Sequence, residues 1–343
     1  MDIKPQTRST LKDVAAIAGV SIKTASRALG GEPGVNKETL ARVEDAAKKL
    51  NYRPNKLAQQ LRAGNRTHAI ALLVGELSNP FYSAIASGIE SVLRPLGFDV
   101  LIASTDEEEQ QEKHLIEGFI ERAVEGFLVV SSTHDHFYLE NERQRGTPIV
   151  FIDRPPVNLL ADSITLDNKK AVHLALEYLF KNNCKKIAVL TDSLSVWTAS
   201  ERANAVGEYY LDQGDAFDNS LVFSSQASPE IAAETTEKLL KLSDGQRPEA
   251  ILATNNQISL GVIAGMKKAK IAVPMVGIDD FDFADVLAAT TVTNNPIQLG
   301  IKSATMLMER LKNPTTNPVH IHIEPELIAR SLTPAIPGVT IKN

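Results

Sequence analysis

Ile22, Lys23, Ser26 and Arg27 lie on the exposed side of a short helix-patterned segment, and they are residue types that read a DNA major groove. Lys and Arg donate to guanine O6 and N7, and Ile contacts the thymine methyl. Thr24 beside them can reach a phosphate. A second set of chemically able residues sits at the ends of apolar runs further along. Phe81 and Tyr82 can stack on a ring, Asp153 and Arg154 offer opposite charges after PIVFI, and Arg202 begins a helix. Asn255 follows AILAT, Asp279 follows PMVGI, and Trp197 precedes the Arg202 helix, where it can cap a cleft. A polyhydroxylated ligand needs such a spread of donors and acceptors beside an apolar face, because each buried hydroxyl must be paired. Taken singly, each of these residues is equally a solvated loop charge or a structural ion pair.

The elements that would position the first set follow from periodicity. Thr10 starts a helix as the box T-x-x-D with Asp13, and Leu11, Val14, Ala15, Ile17 and Ala18 recur at helical spacing. Gly19 permits a tight turn, Ser21 caps a second helix over 22–29, and Ala25, Ala28 and Leu29 face the first. Gly30 and Gly31 end it. A third helix starts after Asn36 and runs to about Leu50, with Leu40, Val43, Ala46, Ala47 and Leu50 on one face. Two short helices cannot bury their own faces and the third closes the core, which is a helix-turn-helix pattern whose second helix enters the major groove. The alternative is a surface helix that happens to be basic.

Charge divides the chain at the same place. Residues 1–66 hold 13 Lys and Arg against 6 Asp and Glu, and the remainder holds 23 against 36, within a net charge of −6. A basic head on an acidic body is the footprint of a protein that presents one end to a polyanion. Pro54 then opens a short helix, Asn55 to Ala63, with Leu57, Ala58 and Leu61 as its stripe. Nine residues do not hold a helix alone in water. Pairing with a second copy on DNA would let Leu61 wedge between base steps in the minor groove; a linker helix packed on the body is the other option.

From Ala69 the chain alternates apolar runs and helical stretches through Asp279, the pattern of doubly wound parallel sheets. Two clusters of strands, separated around 153–168, give two lobes whose strand ends face one cleft. Length predicts two or three domains. Cys184 is the only cysteine, so no internal disulfide forms and no cysteine-based zinc site is expected. The first ten residues are polar and no apolar run reaches a membrane span, so a cytoplasmic protein is expected. G-x-G-x-x-G after the first strand, G-x-x-x-x-G-K-[ST], H-E-x-x-H and G-x-S-x-G are all absent, so no catalytic residue, cofactor or metal is expected. His134-Asp135-His136 reads as a solvated turn, the run 106–109 as the acidic first turn of a helix, and Glu76 and Asn295 as structural polar residues.

TLKDVAAIAGVSIKTASRALGG, VNKETLARVEDAAKKLNYRPN and LAQQLRAG, contiguous over residues 10–64, resemble the LacI/GalR family of bacterial transcriptional regulators. SNPFY, EGFLVVSS, PIVFIDR, ITLDN, TASER, ATNN, VPMVGIDD and ATTVTNNP continue the resemblance along the body. The resemblance implies a homodimer on double-stranded operator DNA, with a sugar, sugar derivative or nucleoside held between lobes similar to periplasmic sugar-binding proteins. It implies a helix-turn-helix head over 1–54, a hinge helix and linker over 55–67, and a core over 68–343. The first lobe would take about 68–167 and 294–320, and the second about 168–293 and 321–343. By position, Ile22, Lys23 and Arg27 correspond to specificity residues, and Leu61 and Ala58 to the hinge leucine and its small neighbour. Thr10, Ser21, Thr24, Ser26, Asn36, Tyr52 and Asn55 complete the candidate DNA-contacting set. Asp153, Arg202, Asn255 and Asp279 match effector-contacting positions.

The chain departs from the family pattern at three places. Asn256 stands where an aspartate is usual, Ala205 replaces a usual glycine, and VPMVGIDD is about four residues shorter than the common form. The function expected is a ligand-responsive repressor; the alternative is a sugar-binding receptor with no DNA role.

Overall fold

The computed structural model describes residues 9–31, 33–52, 67–314 and 317–341. The chain forms two compact units, Met1–Thr67 and His68–Asn343. Asn55, Ala58 and Leu61, with the hinge helix expected around them, lie outside the described residues.

In the first unit, α1 (Leu11–Ala18), α2 (Ile22–Leu29) and α3 (Lys37–Lys49) pack around Val14, Ala25 and Val43, which have no solvent exposure. Most of their buried neighbours are alanines, so the helices approach closely. Each helix carries its own start signal. Thr10 and Asp13 form a reciprocal capping box, Ser21 Oγ accepts from Thr24 N at 3.0 Å, and Asn36 Oδ1 accepts from Thr39 N at 2.7 Å. Gly19 takes φ 66°, the left-handed turn between α1 and α2. Ile17 is 54% exposed and lies outside the buried face formed by Val14, Ala15 and Ala18, contrary to the apolar series read from the sequence.

The second unit alternates β1 (Ala69–Val74), α4 (Pro80–Leu93), β2 (Asp99–Ser104), α5 (Glu109–Glu121), β3 (Gly126–Val129), α6 (Glu140–Gln144), β4 (Ile149–Ile152) and β5 (Asp162–Leu166). It continues with α7 (Asn168–Lys181), β6 (Ile187–Leu190), α8 (Trp197–Asp212), β7 (Val222–Phe223), α9 (Pro229–Leu240), β8 (Ala250–Ala253) and α10 (Asn256–Ala269). The rest is β9 (Ile271–Ala272), β10 (Met275–Ile278), β11 (Thr290–Thr293), α11 (Pro296–Lys312), β12 (His320–Ile323), β13 (Glu326–Ile328) and β14 (Thr340–Ile341).

Twelve of these strands make two six-stranded sheets, ordered β12-β5-β4-β3-β1-β2 and β13-β11-β10-β8-β6-β7, and β14 pairs with β9 in a separate two-stranded sheet. The orders are the same arrangement used twice, with β1 to β5 answered by β6, β7, β8, β10 and β11. The strands pair in parallel except at the last edge, where β13 runs antiparallel to β11. Alternation along each strand fills two faces. Ile70, Leu72 and Val74 pack beneath α4 and α11, while Ala71 and Leu73 pack with Ile116 and Phe119 of α5. Ile187 and Val189 meet α7 and α8, and Ala188 and Leu190 meet α9 and α10.

The chain passes between sheets after β5, after β11 and after β12. The last passage differs from the expectation at 320/321, since Ile321–Ile323 pair with Ile164–Leu166 in the first sheet. Strands β5, β9, β11, β12, β13 and β14 and helices α6 and α11 fall outside the elements read from sequence.

Two helix pairs pack backbone against backbone. A side chain at Gly88 would collide with the Ile297 carbonyl, and one at Gly300 with the Ile85 carbonyl, so α4 and α11 depend on both glycines. Gly261 and Gly265 of α10 make the corresponding approach to α9. Gly207, within α8, has open space around it. Gly300→Ala should therefore destabilise by about 1–3 kcal/mol through overpacking. Gly207→Ala should stabilise by ~0.5–1 kcal/mol by removing helix-interior backbone freedom. Urea unfolding followed by circular dichroism checks both signs; equal midpoints for the two variants would refute the close-contact account.

Candidate functional site

The ends of the central strands converge on a cavity of about 520 Å³ between the two sheets of the second unit. That volume suits a small polar molecule. Asp153 follows β4 and Asp279 follows β10, equivalent strands of the two sheets. Both aspartates adopt the left-handed region, φ 68° and φ 64°. Each donates its backbone N–H to the neighbouring strand, Asp153 to Ile164 O and Asp279 to Val292 O, both at 2.8 Å. A non-glycine residue held there stores roughly 1–3 kcal/mol, and such strain concentrates where a ligand is gripped. The two carboxylates are thus aimed into the cavity by one repeated backbone turn.

Each carboxylate has an arginine nearby. Arg154 forks onto Glu107, with Nη1 to Oε2 at 2.5 Å and Nη2 to Oε1 at 2.7 Å, and Nη1 also donates to Ser131 O at 2.6 Å. Its Nε lies 3.8 Å from Asp153 Oδ2. Arg202 reaches in from α8, with Nε to Asn168 Oδ1 at 2.7 Å, Nη1 to the Thr254 carbonyl, and Nη1 to Asp279 Oδ2 at 3.3 Å. Burial pushes the Asp153 carboxyl up to about 6, against the pull of Arg154 and Arg202. Burial also raises Asp279, opposed by Arg202. Tyr82 is raised, first by burial.

Phe81 and Tyr82, on the first turn of α4, line the cavity edge-to-face at 5.4 Å. Asn79 caps α4 by accepting from Phe81 N at 3.0 Å, and Asn255 caps α10 by accepting from Ile258 N at 2.8 Å. Asn256 Nδ2 donates to Asn79 Oδ1 at 2.8 Å, a hydrogen bond that spans from one lobe to the other.

Seven of the eight ligand-contact candidates therefore line one cavity. Trp197 does not: Val196, Thr198, Ala199 and Arg202 face inward, and Trp197 is turned off that face of α8. Glu107 was legible only as part of an acidic helix start. Asp106 and Glu107 instead take positive φ, 52° and 58°, and bend the loop ahead of α5 so that Glu107 meets Arg154. Glu76 also lines the cavity, whereas Asn295 caps α11 by accepting from Gln298 N. His136 is buried rather than solvated, with Nε2 2.7 Å from Ser131 Oγ, Nδ1 accepting from Val157 N at 2.8 Å, and its ring edge-to-face with Phe151. Among the described residues no group of three His, Cys, Asp or Glu is placed to hold a metal, and no helix is long and apolar enough to cross a membrane.

In the first unit, Ile22 and Lys23 stand exposed at the start of α2, and Thr24 and Ser26 are half-buried. Thr24 Oγ1 shares a 2.8 Å hydrogen bond with Ser21 Oγ. Arg27 folds back, donating from Nη2 to Pro33 O at 2.6 Å. That contact occupies the group expected to read a base, so base recognition requires Arg27 to exchange the carbonyl for the groove. Thr10, Ser21 and Asn36 use their side chains as helix caps, and Tyr52 packs at the edge of the three-helix core.

Residues 10–55 match the model for bacterial regulatory proteins of the lacI family. Residues 67–331 match that for periplasmic binding proteins and the sugar binding domain of the LacI family. The chain is 26% identical over 330 residues to the HTH-type transcriptional repressor PurR of Aliivibrio fischeri, covering 94% of this chain and 98% of that one. It is 28% identical over 333 residues to the ribose operon repressor of Escherichia coli, covering 94% and 99%. Among solved structures, the lac repressor dimer bound to operator and the anti-inducer ONPF superposes with a TM-score of 0.75 at 24% identity, covering 95% and 99%. The transcriptional regulator CelR–cellobiose complex gives 0.68 at 26%, covering 95% and 100%.

The Asp153 shift carries a stability consequence. With its pKa near 6 when folded and 3.8 as the reference, the folded chain keeps a proton that the unfolded chain has released. The stability from this group is complete below the reference value and is lost as pH rises through the folded value. Across that window the loss is about 3 kcal/mol. Asp153→Asn should flatten the fall in urea midpoint between about pH 4 and pH 6 relative to the parent. Parallel profiles would show that Asp153 is not desolvated.

Proposed function

The chain belongs to the LacI family of bacterial regulatory proteins, and on that premise we propose which of its parts grip DNA and which sense the effector. The protein is a sequence-specific DNA-binding transcriptional repressor, not an enzyme, and a small molecule bound in its core controls its operator affinity. It acts as a homodimer in the cytoplasm. Ile22 and Lys23 of α2 read bases in the major groove, Arg27 joins them on release from Pro33, and Leu61 wedges the central minor groove. The effector is a sugar, sugar derivative or nucleoside held by Phe81, Tyr82, Asp153, Arg154, Arg202, Asn255 and Asp279.

One observation carries the effector half: the paired left-handed Asp153 and Asp279, each near an arginine, converging from equivalent strands on one cavity. A ligand touching both lobes favours one lobe arrangement over another. It alters DNA affinity only by that preference, typically 1–3 kcal/mol of coupling.

The first test is a thermal-shift screen of pentoses, hexoses and nucleosides, followed by operator binding with and without each stabilising compound. A compound that stabilises the protein should change operator affinity by about 5–150-fold. Stabilisation with no change in DNA affinity would sink the regulatory role of the cavity. The second is Leu61→Ala, which should weaken operator binding more than binding to random duplex in gel-shift titrations. Equal losses on both would remove the wedge. Lys23→Ala should relax preference at one base position by about 1–3 kcal/mol.

A further inference from the structure

We propose that the effector is a polyhydroxylated compound carrying a protonated amine, and that phosphorylated and carboxylated compounds are excluded. The proposal rests on the effector reading above. It comes from the charge balance of the cavity. Both guanidinium groups are already matched, Arg154 by Glu107 and Arg202 by Asp279. Asp153 shares Arg154 only at 3.8 Å. Glu76, Asp106, Glu108 and Asp192 also line the cavity, and among the described residues none of them forms a salt bridge, Asp192 feeling Arg154 only at longer range. Glu76 takes a hydroxyl hydrogen bond from Ser78 at 2.6 Å and Asp106 one from Ser104 at 2.5 Å, while Asp192 accepts from Ser193 N at 2.7 Å. Glu76, Asp106 and Glu108 are exposed and Asp192 is half-buried, and cleft walls of low dielectric focus the field of such carboxylates.

The deeper wall points the same way. Asp279 Oδ1 and Gln226 Oε1 are buried acceptors with no hydrogen-bond partner, on residues that are each only 7% exposed. The one buried donor of the cavity left unpaired is Arg154 Nε, and it already faces Asp153. A buried acceptor without a donor costs about 1–3 kcal/mol, so the ligand that fits must bring donors. An ammonium brings three and no acceptor, and hydroxyls bring one each. A phosphate or carboxylate brings acceptors only. It would need a guanidinium already committed to Glu107 or Asp279.

Helix N-termini at the cavity would favour an anion; those of α4 and α10 are capped from within the chain, whereas α5 and α8 begin at the cavity with no side-chain cap, and the phosphate and acid members of the test below probe those two starts. Asn79 accepts from Phe81 N, and Asn255 from Ile258 N.

The test uses the full-length protein and matched series by calorimetry and thermal shift. Ribose, glucose, galactose and adenosine are the neutral parents, each compared with its amino, phosphate and, for the sugars, uronic or aldonic acid forms. An amino member should bind about tenfold or more tightly than its parent, a gain that shrinks as salt is raised. In the double variant Glu76→Gln with Asp192→Asn the ratio of amino to parent affinity, both measured on that variant, should fall, and an unchanged ratio overturns the proposal. A phosphate or acid member that binds as well as its parent overturns the proposal, as does an amino member no tighter than the parent. In both cases the effector reading stands. Absence of binding by every member of every series defeats the effector reading itself, and the proposal with it.

Discussion

Charge taken out of water must be met by charge or by hydrogen bonds, and this constraint organises the core of the protein. Asp153, Arg154, Arg202 and Asp279 are all 7% exposed or less. Removing such ions from water costs several kcal/mol each, which only close, well-aligned partners return. Arg154 meets that demand with the two oxygens of Glu107 and the Ser131 carbonyl. Arg202 meets it with Asn168, Thr254 and Asp279, drawn from three other elements. The carboxylates are less completely served. Asp279 keeps one oxygen unpaired and Asp153 has only a distant guanidinium nitrogen. The arginines are thus structural anchors as well as cavity walls, and besides Arg154 Nε the buried cavity atoms left unpaired are acceptors, Asp279 Oδ1 and Gln226 Oε1.

The repeat in the two sheets explains why this chemistry is centred between them. Equivalent strands end in equivalent left-handed aspartates, and opposing two such strand ends doubles the set of polar groups around one space. Each lobe is internally stiff. Gly88 and Gly300 lock α4 to α11, and Gly261 and Gly265 seat α10 on α9, with no room for a methyl group at any of the four. Motion that responds to a ligand is then motion of one lobe against the other about the three chain passages. Rigid bodies joined at a few places give bistable rather than graded behaviour.

Most of the fold was legible from sequence because its signals are redundant. Thr10, Ser21 and Asn36 each announce a helix start, and AIALLV, IAVL and AILA are buried on both faces and therefore apolar throughout. The elements that escaped lack that redundancy. β5, DSITL, begins with Asp162, whose charge is neutralised by Arg310 from α11, 148 positions away, with distances of 2.6 and 2.8 Å. β11, TTVT, buries threonines whose hydroxyls find partners in Ser331 and Asp280. A buried polar strand looks like a loop until its partners are known. The same holds at the cavity. Asp153, Arg202, Asn255 and Asp279 sit at strand and helix ends where pattern points to them, but Glu107 enters only through two left-handed residues in an acidic run. Nothing in the local sequence distinguishes it from a helix cap. Trp197 fails in the opposite sense, since proximity in sequence to Arg202 does not put both on one face of a helix.

Asn256 shows how one side chain can join the two lobes directly. An aspartate there would add a carboxylate to a cavity already rich in them. The asparagine instead spends its amide on Asn79. The oxygen of Asn79 is fixed by Phe81 N, so whatever meets it from the opposite lobe must donate. Asn256 Oδ1 is itself taken by Gln257 N at 2.9 Å, which leaves Nδ2 pointing across. An ionised aspartate has no proton to give and would set two oxygens against each other. Asparagine at position 256 therefore sustains a direct lobe-to-lobe contact that an ionised aspartate would not make. A contact that favours closure before the ligand arrives reduces the penalty of populating the competent state, and it equally reduces how far the ligand can shift that population. A ligand that touches both lobes acts on an equilibrium to which this amide hydrogen bond already contributes.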